Sequence, residues 1–172
     1  MPEAHPVELD AIRIIRTLNA HGVRYVVIGG FGSVLYGSTL ATFDIDVTPA
    51  TDDDNLGRLA EALKELGAGL RVSGQPDPVP MPLDNRSFAS FTTMTLRTTA
   101  GDLDICLRPD ASGRTSFDYD TLAQHAVVIE LPEPVPVASL DDIIASKEAS
   151  GREKDLLRLP ELYSLRDRLR EQ

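Results

Sequence analysis

The stretch Val23–Thr48, VRYVVIGGFGSVLYGSTLATFDIDVT, decides the fold. Its first six residues are β-branched and aromatic, which predicts a buried strand over Val23–Ile28. Gly29-Gly30 follows as a tight turn, and Phe31–Tyr36 is a short apolar segment with helical character that Gly37 ends. Phe43–Thr48 then alternates, with Asp44 and Asp46 set against Ile45 and Val47. Alternation of this kind predicts a strand whose two faces differ. Ile45 and Val47 anchor one face in the core, so both carboxylates emerge together on the other.

Upstream, Leu9, Ile12, Ile15 and Leu18 recur at helical spacing, which predicts a helix over Glu8–Ala20 stopped by His21-Gly22. Downstream, Thr51 can cap a helix whose first turn holds Asp52, Asp53 and Asp54, where negative charge is favourable. Leu56, Leu59, Leu63 and Leu66 form its apolar stripe. Gly74–Leu83 carries prolines at 76, 78, 80 and 82 and reads as an extended loop, since proline cannot donate a backbone hydrogen bond. Two strands are expected near Phe88–Thr98 and Asp102–Leu107, turning at Ala100-Gly101, followed by a polar loop over Arg108–Ser116. Val127–Leu131 reads as a strand and Val135–Val137 as a short extended segment. The remainder reads as three helices, Leu140–Ser150, Glu153–Leu159 and Glu161–Arg170, with Gly151 separating the first two and Pro160 opening the third. This order predicts an α+β fold, α/β-like in part, with helices packed on one central mixed sheet. Residues 1–138 are expected to form the core and 139–172 a C-terminal helical segment that packs on it within the same domain.

The composition narrows the function. At 172 residues and 18.7 kDa the chain fits one domain with a real core. A net charge of −10 argues against a non-specific nucleic-acid binder, which needs a basic surface. The acidity is uneven: residues 1–140 are net −9, while residues 141–172 nearly cancel at −1. A single cysteine, Cys106, excludes a disulfide framework and a cysteine-based zinc site. No apolar run is long enough to span a bilayer and none has the form of a signal peptide, so no membrane partner and a cytoplasmic location are expected.

Asp-x-Asp is a cheap pattern in so acidic a chain, and 52/54, 102/104 and 118/120 also match it. Asp44-Ile45-Asp46 differs by its strand context. Two carboxylates side by side raise each other's pKa unless a cation lies between them, and hard oxygen ligands suit Mg²⁺. Leu103-Asp104-Ile105 repeats the pattern on a later strand, and a third carboxylate there could complete a two-metal site with ions ~3.5–4 Å apart. Asp102 points the same way, but it abuts the turn at Gly101, which favours Asp104. Gly29-Gly30, at the end of a strand, lets backbone N–H groups approach phosphate oxygens, and Ser33 could add a hydroxyl. Lys147, one of three lysines, continues the apolar stripe of Ile143 and Ile144 and is either a snorkelling surface residue or a site residue. Asp155 could pair locally with Arg152 or Arg158. His5, His21 and His125 lack metal-ligand spacing, Cys106 reads as a small buried thiol, and Arg166, Arg168 and Arg170 read as a solvated helix face.

Taken together, Gly29-Gly30, Asp44-Ile45-Asp46 and a distal Asp104 resemble the polymerase-β-like nucleotidyltransferase superfamily. The C-terminal SLDDIIASKEASGREKDLLRLPEL resembles, more narrowly, the small nucleotidyltransferases related to abortive-infection toxins, in which a lysine-bearing helix precedes an Arg-x-Lys-Asp-Leu segment. The resemblance implies an enzyme that moves an NMP from an NTP, ATP among them, to an acceptor hydroxyl and releases pyrophosphate. It implies Mg²⁺ or Mn²⁺ on Asp44, Asp46 and Asp104, with Asp104 also helping to deprotonate the acceptor. Gly29, Gly30, Ser33 and Lys147 would hold the triphosphate, and Lys154 and Asp155 would border the site. The acceptor would be an RNA end, a protein or a small molecule, and a toxin–antitoxin role would bring an antitoxin partner. One departure stands out: relatives often carry an arginine two residues before the threonine of Thr-x-Asp-x-Asp, and here that place is Leu40. That departure motivates a second reading, a degenerate nucleotidyltransferase fold acting as a binding or regulatory module. A dinucleotide-binding reading of Gly30-Phe31-Gly32 fails at Leu35, where a third glycine is needed.

Overall fold

The computed structural model describes residues 7–108 and 117–172. Helix α1 (Ala11–Ala20) leads into strand β1 (Tyr25–Ile28), helix α2 (Gly29–Leu35), strand β2 (Asp44–Pro49) and helix α3 (Asp53–Glu65). Strand β3 (Gly69–Leu70), helix α4 (Asn85–Phe88), strands β4 (Thr93–Thr98) and β5 (Gly101–Cys106), and helix α5 (Tyr119–His125) follow. Strands β6 (Val127–Glu130) and β7 (Pro134–Val137) precede helices α6 (Leu140–Ser150), α7 (Glu153–Leu156) and α8 (Leu159–Arg170). The expected α+β architecture is present: seven strands form one mixed sheet in the order β3-β4-β5-β2-β1-β7-β6. The strand pair β1–β2 is antiparallel, whereas β2 runs parallel to β5 and β1 parallel to β7.

Alternation along the two central strands does what the sequence pattern requires. Ile45, Val47, Leu103 and Ile105 are fully buried, while Asp44, Asp46, Asp102 and Asp104 face the other way and are half-buried. The apolar side chains join one core with Ile14, Ile15 and Leu18 of α1 and Leu59, Leu63 and Leu66 of the α3 region. Burial of each such side chain contributes roughly 1.5–3 kcal/mol. Asn55, fully buried at the start of α3, accepts from Arg24 N at 2.7 Å and donates to Arg24 O at 3.0 Å and Ala50 O at 2.7 Å. Those three bonds satisfy a buried polar group and fix the ends of β1 and β2 relative to α3.

Several local expectations change. Asp52, not Thr51, caps α3, since its carboxylate accepts from Asn55 N at 3.1 Å. The strand expected from Phe88 starts only at Thr93: Asp84 accepts from Ser87 N at 2.7 Å and nucleates α4, which buries Phe88. Helix α5 was not foreseen and is capped by Asp118, which accepts from Thr121 N at 2.9 Å. The proline-rich loop lies against the β3 edge of the sheet, where Leu70 and Val79 exchange backbone bonds of 2.8 and 2.9 Å. Val135–Val137, expected as a short extended segment, belongs to β7, and Ala138 N donates to Val27 O at 2.9 Å. The expected polar loop falls largely outside the described residues, as does His5. Among the described residues, no helix is long and apolar enough to cross a membrane.

The C-terminal helices meet the core around α2. Gly32 lies so close to α6 that a Cβ there would come 3.0 Å from Ile143 Cδ1. Tyr36 donates to Ala138 O at 2.8 Å, just ahead of α6. Arg166 and Arg170 of α8, expected as a solvated face, pair with Asp141 of α6 at 3.7 and 3.1 Å. Such exposed pairs orient helices more than they stabilise them.

Candidate active site

Strand register gathers the carboxylates. Parallel pairing of β2 and β5 sets Asp44 opposite Asp102 and Asp46 opposite Asp104, a two-by-two array on one sheet face. Antiparallel pairing of β1 and β2 sets Ile28 opposite Asp46, so the glycine turn after β1 lies directly over that carboxylate. Gly29 has φ +68°, and a Cβ on it would fall 2.4 Å from Asp46 Oδ2. Both facts demand glycine there. Gly29→Ala is therefore expected to cost about 1–2 kcal/mol of stability from the left-handed backbone and to turn the Asp46 carboxylate aside. Activity should fall by more than the stability loss explains, which urea unfolding and turnover measured on the same sample would check.

Three of the four, Asp44, Asp46 and Asp104, line a cleft of about 250 Å³ together with Gly29, Gly30 and Thr42 from the α2 side and Ser146, Lys147, Ser150, Arg152, Lys154, Asp155 and Arg158 from the C-terminal helices. Asp102, Asp104 and Asp46 are in different electrostatic states. Burial would raise Asp102, but Arg97 at 2.9 Å and Arg71 at 2.8 Å hold it below the usual carboxylate range. Asp102 is thus committed to two arginines, and it is absent from the cleft lining. Asp104 is pushed up to about 6 by burial, with the charges of Asp44 and Asp102 adding to the rise and Arg71 opposing it from 3.2 Å. Asp46 is pushed up to about 7, first by burial and then by Asp44 and Asp104, against the opposing pull of Lys147 and Lys154. The protein therefore holds buried acidic groups short of positive charge, which costs stability unless a cation or proton is taken up.

Among the described residues, no three His, Cys, Asp or Glu side chains are gathered closely enough to hold a metal ion as they stand. Arg71, rather than a neighbouring carboxylate, is the partner of Asp104. The donor set nonetheless fits a hard divalent cation: Asp44, Asp46 and Asp104 offer carboxylate oxygens from adjacent strands on one cleft wall, and two of them have raised pKa values.

Opposite the carboxylates stands a buried cation. Lys147 is only 7% exposed and pairs at 3.3 Å with Asp155, itself 5% exposed. It is held inside the protein and does not snorkel to the surface. Asp155 also accepts from Ser150 Oγ at 2.6 Å and Arg152 Nε at 2.7 Å. Burial would raise Asp155, but these bonds and the two cations hold it low. Of the two local partners considered from sequence, the structure gives it Arg152. Arg158 instead donates to Ala41 O at 2.9 Å.

Of the residues singled out from sequence, Asp44, Asp46, Asp104, Gly29, Gly30, Lys147, Lys154 and Asp155 all line this cleft. Ser33 does not: it is 1% exposed, and its hydroxyl donates to Gly29 O at 3.1 Å inside α2. Cys106 lies in the cleft wall with its thiol pushed up to about 12, mainly by burial, which leaves it neutral and a poor nucleophile. Ser146, Ser150, Arg152 and Arg158 were not foreseen. The first two had a readable signal, since Ile143, Ser146, Lys147 and Ser150 follow the spacing of one helix face. His21 and His125 make surface pairs with Glu65 at 2.5 Å and Asp142 at 3.2 Å, away from the cleft. No residue of the proline-rich loop lines it either.

No protein-family model matches the chain, and no curated protein matches it by sequence. Solved structures do match in shape. A candidate nucleotidyltransferase from Thermotoga maritima is 19% identical, with a TM-score of 0.54 over 94% of this chain and 91% of its own. The lincosamide antibiotic adenylyltransferase LnuA, solved with lincomycin bound, is 18% identical, with a TM-score of 0.60 over 92% of this chain and 99% of its own. ANT(2″)-Ia, solved with adenylyl-2″-tobramycin, is 14% identical, with a TM-score of 0.52 over 93% and 94%. The chain therefore shares the fold of these nucleotidyltransferases.

Proposed function

We propose that this protein is a metal-dependent nucleotidyltransferase that moves an NMP unit from an NTP to an acceptor hydroxyl. The observation that carries the reading is the register of β1, β2 and β5. It sets Asp46 beside Asp104 and under the Gly29 turn, with buried Lys147 across the same cleft. Asp44, Asp46 and Asp104 would hold Mg²⁺ or Mn²⁺, which when bound supplies positive charge to the phosphate oxygens and to the attacking oxygen.

The chain's own groups do the rest. The acceptor oxygen attacks the α-phosphorus, the bond from that phosphorus to the bridging oxygen breaks, and pyrophosphate leaves. Asp104, on the strand beside Asp46, would be the carboxylate that accepts the hydroxyl proton. Lys147 is held at a fixed point by Asp155, so its charge toward the triphosphate needs no reorganisation. Lys154, exposed at the cleft rim, adds a second cation. Gly29 and Gly30 line the same cleft, and their lack of side chains leaves room for Asp46 and Thr42 beside the backbone.

The acceptor is the free variable. Small molecules are the acceptors suggested by the antibiotic-modifying fold relatives, while RNA ends or proteins are suggested by the toxin-like sequence resemblance. The test is incubation with each α-labelled NTP, Mg²⁺ and cell extract, then separation into RNA, protein and small-molecule fractions. Label is expected in one fraction with wild type and in none with Asp104→Asn. An unlabelled extract with all four nucleotides would favour the regulatory-module reading.

A further inference from the structure

Arg158, at the junction of α7 and α8, is the residue that neither the sequence motifs nor the carboxylate array explains. Its Nη2 donates to Ala41 O at 2.9 Å, so the guanidinium is moored to the loop that leads into β2. Its Nη1 is buried and has no hydrogen-bond partner. A buried N–H of a charged group without an acceptor costs stability, and native proteins rarely leave one without a reason. That nitrogen lies beside the glycine turn, 3.7 Å from where a Cβ on Gly30 would be, and Arg158 lines the cleft shared by Asp44, Asp46 and Lys147.

The mooring is built from α8. One turn beyond Arg158, Glu161 accepts from Thr39 N at 2.7 Å, Thr39 Oγ1 at 2.8 Å and Ser38 Oγ at 2.8 Å. Carboxylate and guanidinium together clamp residues 38–41 onto the start of α8. The clamped segment contains Leu40, the place where the resembled family often has an arginine. At this loop, the chain lacks a cation on the loop itself but receives one from the helix packed against it.

We infer that Arg158 is a substrate-binding residue, its free Nη1 donating to a phosphate oxygen of the nucleoside triphosphate, so that α8 supplies the cation the loop lacks at Leu40. The inference rests on the nucleotidyltransferase reading and extends it: the Leu40 departure is compensated from a distant segment of the same chain, so it does not mark a degenerate site. Glu161 is a positioning residue that acts through the loop.

The test is titration calorimetry of the full chain with ATP and with inorganic tripolyphosphate, in Mg²⁺ and without acceptor. Arg158→Ala is expected to weaken both by about tenfold or more, the loss of one charge-assisted hydrogen bond. Arg158→Lys should fall between it and wild type. Adding Leu40→Arg to Arg158→Ala should restore most of the binding, which a purely structural role for Arg158 would not allow. Should Arg158→Ala fail to fold, Arg158→Gln replaces it, keeping a donor to Ala41 O without the charge. Unchanged tripolyphosphate binding in a folded Arg158 variant overturns the inference while leaving the nucleotidyltransferase reading intact. An equal loss in the Ala, Lys and Leu40→Arg rescue variants also overturns it. If wild type binds neither ATP nor tripolyphosphate, both readings fall.

Discussion

Asp46→Asn is expected to remove nucleotidyl transfer by at least a factor of about one hundred and, at neutral pH, to make the folded protein more stable. The first effect follows from the loss of a carboxylate at the centre of the array. The second follows from its environment. A rise from 3.8 to about 7 corresponds to roughly 4 kcal/mol of penalty for ionising Asp46 in the folded state. Asp44 and Asp104 face it and raise it further, while Lys147 and Lys154 oppose them. The sign is fixed by proton counting. Between the unfolded value of 3.8 and the folded value of about 7, the native state holds the proton and the unfolded state does not. Stability therefore falls as pH rises through that window and stays low above it. Asp104, raised to about 6, adds a loss of the same sign. Urea unfolding in the presence of a chelator at about pH 5 and about pH 8 should show wild type losing stability with pH and Asp46→Asn losing much less. A variant that is inactive, and also less stable than wild type at the higher pH, would contradict the electrostatic description of the cleft.

Asp155→Ala is expected to destabilise the protein by about 3–5 kcal/mol, the scale for leaving one member of a buried ion pair unpaired. The variant strands the Lys147 ammonium and frees Ser150 and Arg152 at once. Replacing both charges, as Lys147→Met with Asp155→Leu, should recover most of that stability, because apolar side chains of similar size tolerate the same space. It should not recover triphosphate binding, since the cation is gone. Chemical denaturation and nucleotide titration of the single and double variants separate these effects. Equal stability of Asp155→Ala and wild type would show that the pair is water-screened and not buried.

The elements that position the site were readable because their patterns are periodic and long enough. Ile45 and Val47 can only be buried together if Asp44 and Asp46 leave by the other face, and the same logic holds for Leu103, Ile105 and Asp104. The sequence favoured Asp104 over Asp102 from its distance to the Gly101 turn, but the physical reason for the choice lies in long-range partners. Asp102 and Asp104 are two residues apart on one face and share Arg71, and the difference between them lies in Arg97, which bonds Asp102 alone. Ser33 had the right chemistry for a phosphate donor, but its hydroxyl satisfies a carbonyl one turn back, which helical serines commonly do. Helices α4 and α5 were missed because each is under two turns of helix and buries one main apolar residue, Phe88 or Leu122, too few to set a period. Their Asp84 and Asp118 caps were the available signal. The sequence offers Arg152 or Arg158 as a local partner for Asp155, and only the packing of α8 on the 38–41 loop shows where the Arg158 guanidinium goes.

The most direct test of the whole reading is one reaction run with two labels. Purified protein, Mg²⁺, an acceptor fraction and NTP labelled at either the α- or the γ-phosphate are incubated in parallel, with Asp46→Asn beside wild type. Nucleotidyl transfer places the α-label on the acceptor, sends the γ-label into pyrophosphate, and fails in Asp46→Asn. Transfer of the γ-label to the acceptor, or α-label transfer undiminished in Asp46→Asn, would contradict the assignment of this cleft.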